Sequence, residues 1–456
     1  MHVLIHDYDG YAFIAQLARS LARRGHRVTL LYNASNPTTP KGGLARRGDD
    51  PDALLIEGIA LPRPVDKRAL LARWRLERLY GRLLARRIAM LKPDVVMCAN
   101  APLDAVRALD AVCHAQGIPW VFWLQDLVGE ATDRVLRARL PLAGGWIGAH
   151  YKRVEAGLLA RSAAVVGITE DFRAPALAAG VAAARYTTIP NWAPLDEVRP
   201  RAKDNLWAQA AGLERKMVFL YSGTLGFKHN PDLLLALAKA FAADHDVEVV
   251  VNSQGAPADW LRAQAAAAGL HNLRVNPFQP YEMMSDVLAS ADVLVSILEP
   301  DAGVYSVPSK VLSYHCAGRA MLLAVPADNL AARIVVVEGS GLVADPRDET
   351  AFITAARTLR EDHAARHGHG RARACLRRAH VRSGRDHRSL RGGVAGVRGG
   401  TAATEIAEAL GAQNGAGIVG DAQPSVGRHR AGAVHGACSG HGAAARLHQK
   451  GTTHAT

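Results

Sequence analysis

The segment Val307-Pro308-Ser309-Lys310 opens a stretch of mixed apolar and polar residues that runs to Leu322 and follows the apolar run ending Ser296-Ile-Leu-Glu-Pro. A proline, a small hydroxyl and a lysine at a helix start bring free backbone N–H groups and a cation together. That makes an anion site suited to a diphosphate. The plainer alternative is a helix capped by Ser309 with a solvated Lys310. A second start of this kind is Tyr221-Ser-Gly-Thr-Leu-Gly-Phe-Lys-His-Asn-Pro. Here a strand leads into a turn carrying Gly223 and Gly226, then Lys228, then a helix beginning near Pro231. The glycines let backbone approach a phosphate closely and Lys228 adds a point charge. Neither GxxxxGK[ST] nor GxGxxG is present, so an ordinary strand-to-helix loop is the alternative.

Other polar residues end strand-like runs. Asp126 follows a buried run at a cleft edge, free to meet a ligand hydroxyl; a helix N-cap is the alternative. His6 and Asp7 end the first run, where open α/β sheets place ligands; a satisfied turn is the alternative. Glu299 closes the run that leads to Val307 and offers a contact to a ligand hydroxyl. The nineteen histidines form no evident metal set, and seven of them lie beyond residue 370. The five cysteines stand singly without a CxxC pair, which points to a reducing setting and no disulfides. No metal or cofactor is expected.

The elements that must carry these residues alternate strand-like and helical runs, the pattern of parallel α/β sheets. Expected strands are residues 2 to 6, 27 to 32, 95 to 98, 120 to 124 and 164 to 168, with a first helix from Ala12 to Arg24 stopped by Gly25. Two prolines in Thr188-Ile-Pro-Asn-Trp-Ala-Pro mark a hinge. A second series follows, with strands over 217 to 222, 247 to 252, 273 to 275 and 293 to 297 and helices over 231 to 243 and 256 to 268. The expected organisation is two Rossmann-like domains facing across a cleft, 1–190 and 205–368, joined by a hinge over 191–204. A low-complexity tail, 369–456, completes it.

At 456 residues, with nearly half of them apolar and 21% charged, the chain is long enough for two independent cores. No apolar run reaches the roughly eighteen residues of a membrane span. The N-terminus MHVLIHDYDG lacks the basic start of a secretory signal, so a cytoplasmic location is expected. The net charge of +13 concentrates in the tail, where twelve arginines and one lysine from Arg371 onward face four acids. The body is close to an ordinary soluble enzyme and no nucleic-acid partner is expected.

Residues 371–456 hold no Phe, Trp or Tyr and sixteen glycines. Such a segment buries too little apolar surface to offset its ordering entropy. It reads either as a disordered basic tail or as the product of a shifted frame in a GC-rich gene, and the Arg, Ala, Gly and His bias favours the second. The segment RARACLRRAHVRSG offers no aromatic anchor for docking on the first domain.

Between Lys67 and Met90, helical spacing puts Arg68, Arg75, Arg78, Arg82 and Arg86 on one face and Leu76, Leu79, Tyr80, Leu83 and Ile88 on another. This is either a solvated surface helix or, through Arg75, Arg78 and Arg82, a peripheral contact with an anionic membrane.

Taken in order, HDYDG, RRGHRVTLL, KPDVV, WLQDL, IPNW, YSGTLGFK, ASADVLVS and VPSKVLSYHCAGRAMLL resemble the group-1 (family-4) retaining glycosyltransferases, which have the GT-B fold. The resemblance covers about residues 1 to 365 and is nearest to enzymes assembling O-antigen, capsule or colanic acid. It implies a nucleotide-diphosphate sugar donor held by Gly223, Lys228, Val307, Pro308, Ser309 and Lys310, and a glycan or lipid-linked acceptor. Asp126 and Lys228 become the expected catalytic pair, with Glu299 near the donor sugar and His6, Asp7 and Gln125 on the acceptor side. Three positions depart from many relatives. Thr224 stands where an arginine follows the turn glycine, Ser313 where a glutamate holds the ribose, and Gln125 where a histidine is common. Rival readings are a nucleotide-sugar epimerase, which shares the architecture, and a degenerate copy that binds nucleotide or membrane without turnover.

Overall fold

The protein's structure is a computed structural model that describes residues 1–35, 43–65, 69–195, 197–226 and 228–369. Arg68 and the tail beyond His369 lie outside the described residues. Runs such as HVLIHD and WVFWL are buried along their whole length, as parallel strands covered by helices on both faces must be. The first seven strands are β1 (His2–Asp7), β2 (Arg27–Asn33), β3 (Leu54–Ile59), β4 (Val95–Ala99), β5 (Trp120–Leu124), β6 (Ala164–Gly167) and β7 (Tyr186–Thr188). Around them lie α1 (Ala12–Arg23), α2 (Leu70–Leu91), α3 (Leu103–Gln116), α4 (Val128–Arg139), α5 (Gly144–Arg161) and α6 (Arg173–Ala178). The strands form one parallel sheet in the order β3-β2-β1-β4-β5-β6-β7.

After α7 (Leu206–Ala211) a second parallel sheet forms from β8 (Met217–Ser222), β9 (Val247–Asn252), β10 (Leu273–Asn276), β11 (Val293–Ile297), β12 (Ala320–Ala324) and β13 (Gly341–Ala344). Its helices are α8 (Asp232–Ala240), α9 (Ala256–Ala267), α10 (Met284–Ala289), α11 (Lys310–Ala317), α12 (Leu330–Val337) and α13 (Glu349–Glu361). The strand order β10-β9-β8-β11-β12-β13 repeats the doubly wound plan of the first sheet. Each sheet therefore reverses direction between its first and fourth strands, β1/β4 and β8/β11. The crevice outside those strand ends is where such sheets bind ligands.

The segment joining the two sheets is packed against the first. Trp192 stacks on Trp123 at 5.9 Å, meets Phe13 edge-on at 5.6 Å and donates its indole N–H to Gln16 Oε1 at 3.0 Å. Glu197 then accepts from Arg47 of the first domain at 2.9 Å and from Tyr281 of the second at 2.5 Å.

The α4–α5 hairpin starts immediately after Asp126 and fixes that residue's position. Gly144 and Gly148 face α4: a Cβ on either would fall 2.0 Å from Leu136 O or Asp133 Oδ1. The two helices therefore touch nearly backbone to backbone. At the hairpin's base Glu155 Oε2 accepts the Gly129 N–H of α4 at 3.1 Å, an N-terminal cap supplied by the neighbouring helix. Burial is the largest influence on this carboxyl and lifts it from about 4.5 to about 7. A folded-state value raised above the unfolded one contributes stability that is complete below about pH 4.5 and lost as pH rises through about 7. Glu155→Gln, which mimics the protonated acid and keeps the acceptor oxygen, should therefore flatten the fall in unfolding temperature between pH 5 and pH 7.5. An unchanged slope in thermal melts of the variant would place the titration elsewhere.

Candidate functional site

At the switch point of the second sheet, β8 ends at Ser222 and Gly223 follows with φ +137°, a conformation that L side chains rarely adopt. A Cβ there would lie 3.3 Å from both Cε and Nζ of Lys310. The absence of a side chain at Gly223 is thus what lets backbone and ammonium come together. Lys310 is the first residue of α11, and its Nζ sits 3.4 Å from the centroid of the Tyr221 ring. That nitrogen is buried and has no hydrogen-bond partner among the described residues. Burial, and then the charge of Lys228, push this amine well below the usual lysine range. Tyr314, one turn along α11, accepts the Ser222 N–H at 3.0 Å and donates within 3.2 Å of Val295 O, pinning α11 across β8 and β11.

Lys228 is the second cation. Its Nζ lies 3.3 Å from Asp126 Oδ2 and donates to the hydroxyl of buried Ser306. Its carbonyl accepts the Glu299 N–H at 2.9 Å, which ties the glycine turn to the end of β11. Asp126 belongs to the first domain, so this ion pair spans the two sheets. Next to it Leu127 N–H donates to Tyr305 O at 3.0 Å, and the Arg134 guanidinium lies 5.7 Å from the Tyr305 ring. Both side chains of the Lys228–Asp126 pair keep 36% exposure. The pair is therefore worth little as a stabiliser and easy to exchange for a ligand anion.

The turn is braced by His229, a buried residue whose Nδ1 accepts the Gly226 N–H at 2.9 Å. Burial and the two lysines hold its ring far below the ordinary histidine range, hence neutral. Thr224 contributes its carbonyl, which accepts the Tyr221 hydroxyl at 2.8 Å. Glu299 is half-buried, and burial, with Asp301 and Asp232 nearby, raises its carboxyl above the ordinary range. Pro308 is buried and Val307 packs against the apolar core, while Ser313 lies half-buried in the first turn of α11.

The structure thus brings together Gly223, Thr224, Lys228, Glu299, Val307, Pro308, Ser309, Lys310 and Asp126. It corrects several sequence expectations. Ser309 makes no side-chain cap, so the alternative of a capped helix with a solvated lysine fails on both counts. His6 is fully buried: Nε2 meets the Tyr80 hydroxyl at 3.0 Å and Nδ1 meets Cys98 Sγ at 3.4 Å. Burial lowers it to about 3, making it a neutral core residue rather than an acceptor-side group. Asp7 is equally buried, accepting from the Tyr11 N–H at the start of α1 and from Asn100 Nδ2 at 3.0 Å; it holds the β1/β4 switch point together. Gln125 forms a reciprocal amide pair with Asn191, at 3.1 and 2.6 Å, and so locks β5 to the connecting segment. Arg75, Arg78 and Arg82 are exposed on α2, while Leu76, Tyr80, Leu84 and Ile88 are buried.

Ser306, His229 and the Tyr221 ring belong to the site and were not singled out from sequence, although all three sit in or beside the quoted motifs. His363 and His367, four residues apart, bring their Nε2 atoms within 3.1 Å. Among the described residues no three His, Cys, Asp or Glu side chains come together as a metal set.

Residues 12–192 match the family described as glycosyl transferase 4-like domain. A comparison with curated proteins finds no match. Among solved structures, the HepE protein of Anabaena in complex with UDP-glucose superposes with TM-score 0.60 at 15% identity, over 82% of this chain and 94% of that one. WaaG, a glycosyltransferase involved in lipopolysaccharide biosynthesis, gives 0.57 at 16%, over 82% and 94%. A UDP-N-acetylglucosamine 2-epimerase of Listeria monocytogenes gives 0.55 at 14%, over 87% and 99%. These likenesses establish the two-domain GT-B fold.

Lys310 generates a prediction of its own. A buried amine without a hydrogen bond costs roughly 1–3 kcal/mol, which the Tyr221 ring offsets only in part. Lys310→Met keeps the volume and should raise the unfolding midpoint of the ligand-free protein. A lower midpoint would show that the lysine is there to hold the fold.

Proposed function

We propose that the chain moves a sugar from a nucleotide-diphosphate donor to a glycan or lipid-linked acceptor, with retention of configuration. One observation carries the reading: Lys310 lies against the Gly223 backbone at the β8/β11 switch point, and Lys228, from the same glycine turn, reaches Asp126 of the opposite domain. The departing nucleoside diphosphate develops negative charge, and fixed cations and N–H groups at that point lower the barrier. Lys228 and Lys310 are those cations, so the reading needs no metal. A diphosphate settling on the Gly223 backbone would give the buried Lys310 ammonium the partner it lacks and take Lys228 from Asp126. Asp126, released, would face the sugar or the acceptor hydroxyl. Thr224 and Ser313 would then set the nucleotide preference and Glu299 would contact the donor sugar. The glycosyl transferase 4-like match over the first domain supports the reaction class, and retention rests on the family resemblance alone. The exposed arginines of α2 would hold the protein at the inner face of the plasma membrane, beside a lipid-linked acceptor.

Likeness to the epimerase fold keeps a second reading in view. Incubation with a panel of nucleotide sugars separates the two. Release of nucleoside diphosphate from one donor is expected, with binding weakened by roughly 1–3 kcal/mol in Lys228→Ala and Lys310→Ala, the scale of a charge-assisted hydrogen bond. An epimerised sugar still attached to its nucleotide would support the second reading. Unchanged calorimetric affinity in both variants would refute the donor site.

A further inference from the structure

The tip of the α4–α5 hairpin displays apolar side chains that no described residue covers. Leu142 is 96% exposed and Trp146 81%, with Leu140 and Ile147 beside them at 37% each. The display is built in. Gly144 and Gly148 turn one face of α5 onto α4, and Trp146 and Ile147, two and three residues past Gly144, project from the other side. From Arg134 to Val154 the chain contains no Asp or Glu, and it carries Arg134, Arg137, Arg139, Lys152 and Arg153. Glu130 pairs with Arg134 and Lys152, and Asp133 with Arg137, so the net positive charge beside the tip comes from Arg139 and Arg153 together with the surplus of cations over these two acids. An apolar tip that includes a tryptophan, with this net positive flank, suits the boundary between acyl chains and anionic headgroups.

We propose that this tip is a docking surface for an anionic lipid bilayer. It goes beyond the reading of α2 because it stands on another element and on apolar insertion, and it does not depend on the transfer reaction. The two elements are nevertheless neighbours: the Trp74 side chain of α2 lies near the Tyr151 hydroxyl of α5, one turn from Ile147. Leu71 and Trp74 are exposed at that end of α2, with the Arg78 guanidinium stacked 4.7 Å over the Trp74 ring. The base of the hairpin is Asp126, so the 12-residue α4 sets the site about 18 Å from the inserted tip.

The test is co-sedimentation of the full chain with phosphatidylcholine vesicles, with and without phosphatidylglycerol, at low and high salt. Wild type should bind the anionic vesicles, and part of that binding should survive high salt. Leu142→Ser with Trp146→Ser should lower partitioning about tenfold or more and abolish the salt-resistant part. Both side chains are exposed, so an unchanged melting curve confirms the fold. The Arg75, Arg78 and Arg82 to Gln variant reports on α2 separately, through the salt-sensitive part. If the tip variant sediments as wild type does, the tip is not the docking surface, even where the α2 variant loses binding. If wild type binds neither vesicle, both membrane readings fall. A tip variant that changes only the oligomeric state would assign the patch to a second copy of the chain instead.

Discussion

A lysine amine that no described residue hydrogen-bonds organises the second domain. Lys310 is buried between the bare backbone of Gly223 and the face of Tyr221. Burying a charge without a hydrogen-bonding counterion is costly, and protein sites that keep such groups are enriched in function. The surrounding structure is arranged around that lysine. Gly223 must lack a side chain, Tyr314 must hold α11 across two strands, and His229 must stay neutral beside two cations.

The second constraint is that, among the described residues, the polar contacts between the two sheets around the site are exchangeable. Lys228 reaches Asp126 in a half-exposed ion pair, and Leu127 and Tyr305 share one backbone hydrogen bond beside it. Elsewhere along the boundary Arg333 pairs with Asp171 at 2.8 Å, also in solvent. By contrast, Trp192 and the Gln125–Asn191 amide pair are buried. The joint is thus firm near the connecting segment and loose where a ligand would enter.

Much of this was legible in the order of residues, and most of the exceptions share a cause. Uninterrupted apolar runs identified the strands well: Met217–Ser222, Val247–Asn252 and Val293–Ile297 have the bounds their patterns suggest. The glycine turn and the Val307–Lys310 start were visible as local motifs. The fate of His6 was not, because it depends on Tyr80 and Cys98, 74 and 92 residues away. Gln125 likewise finds Asn191 across 66 residues. Strand-end position alone could not decide between cleft and core: only residues past the last ladder bond face the crevice, and His6 is still within β1. The capping role of Ser309 failed for a local reason, since its backbone is already helical at φ −59° and ψ −21°. An N-cap side chain needs extended backbone to reach the N–H groups ahead of it.

On the proposed function, a diphosphate would sit against Gly223, within reach of Lys228 and Lys310. A crystal structure of the protein with a nucleoside diphosphate bound tests it most directly. Phosphate oxygens are expected within hydrogen-bond distance of the Gly223 backbone and of both lysine nitrogens, with the Lys228–Asp126 pair parted. A diphosphate held elsewhere in the cleft, with Lys310 still unpartnered beneath Gly223 and Lys228 still on Asp126, would contradict it.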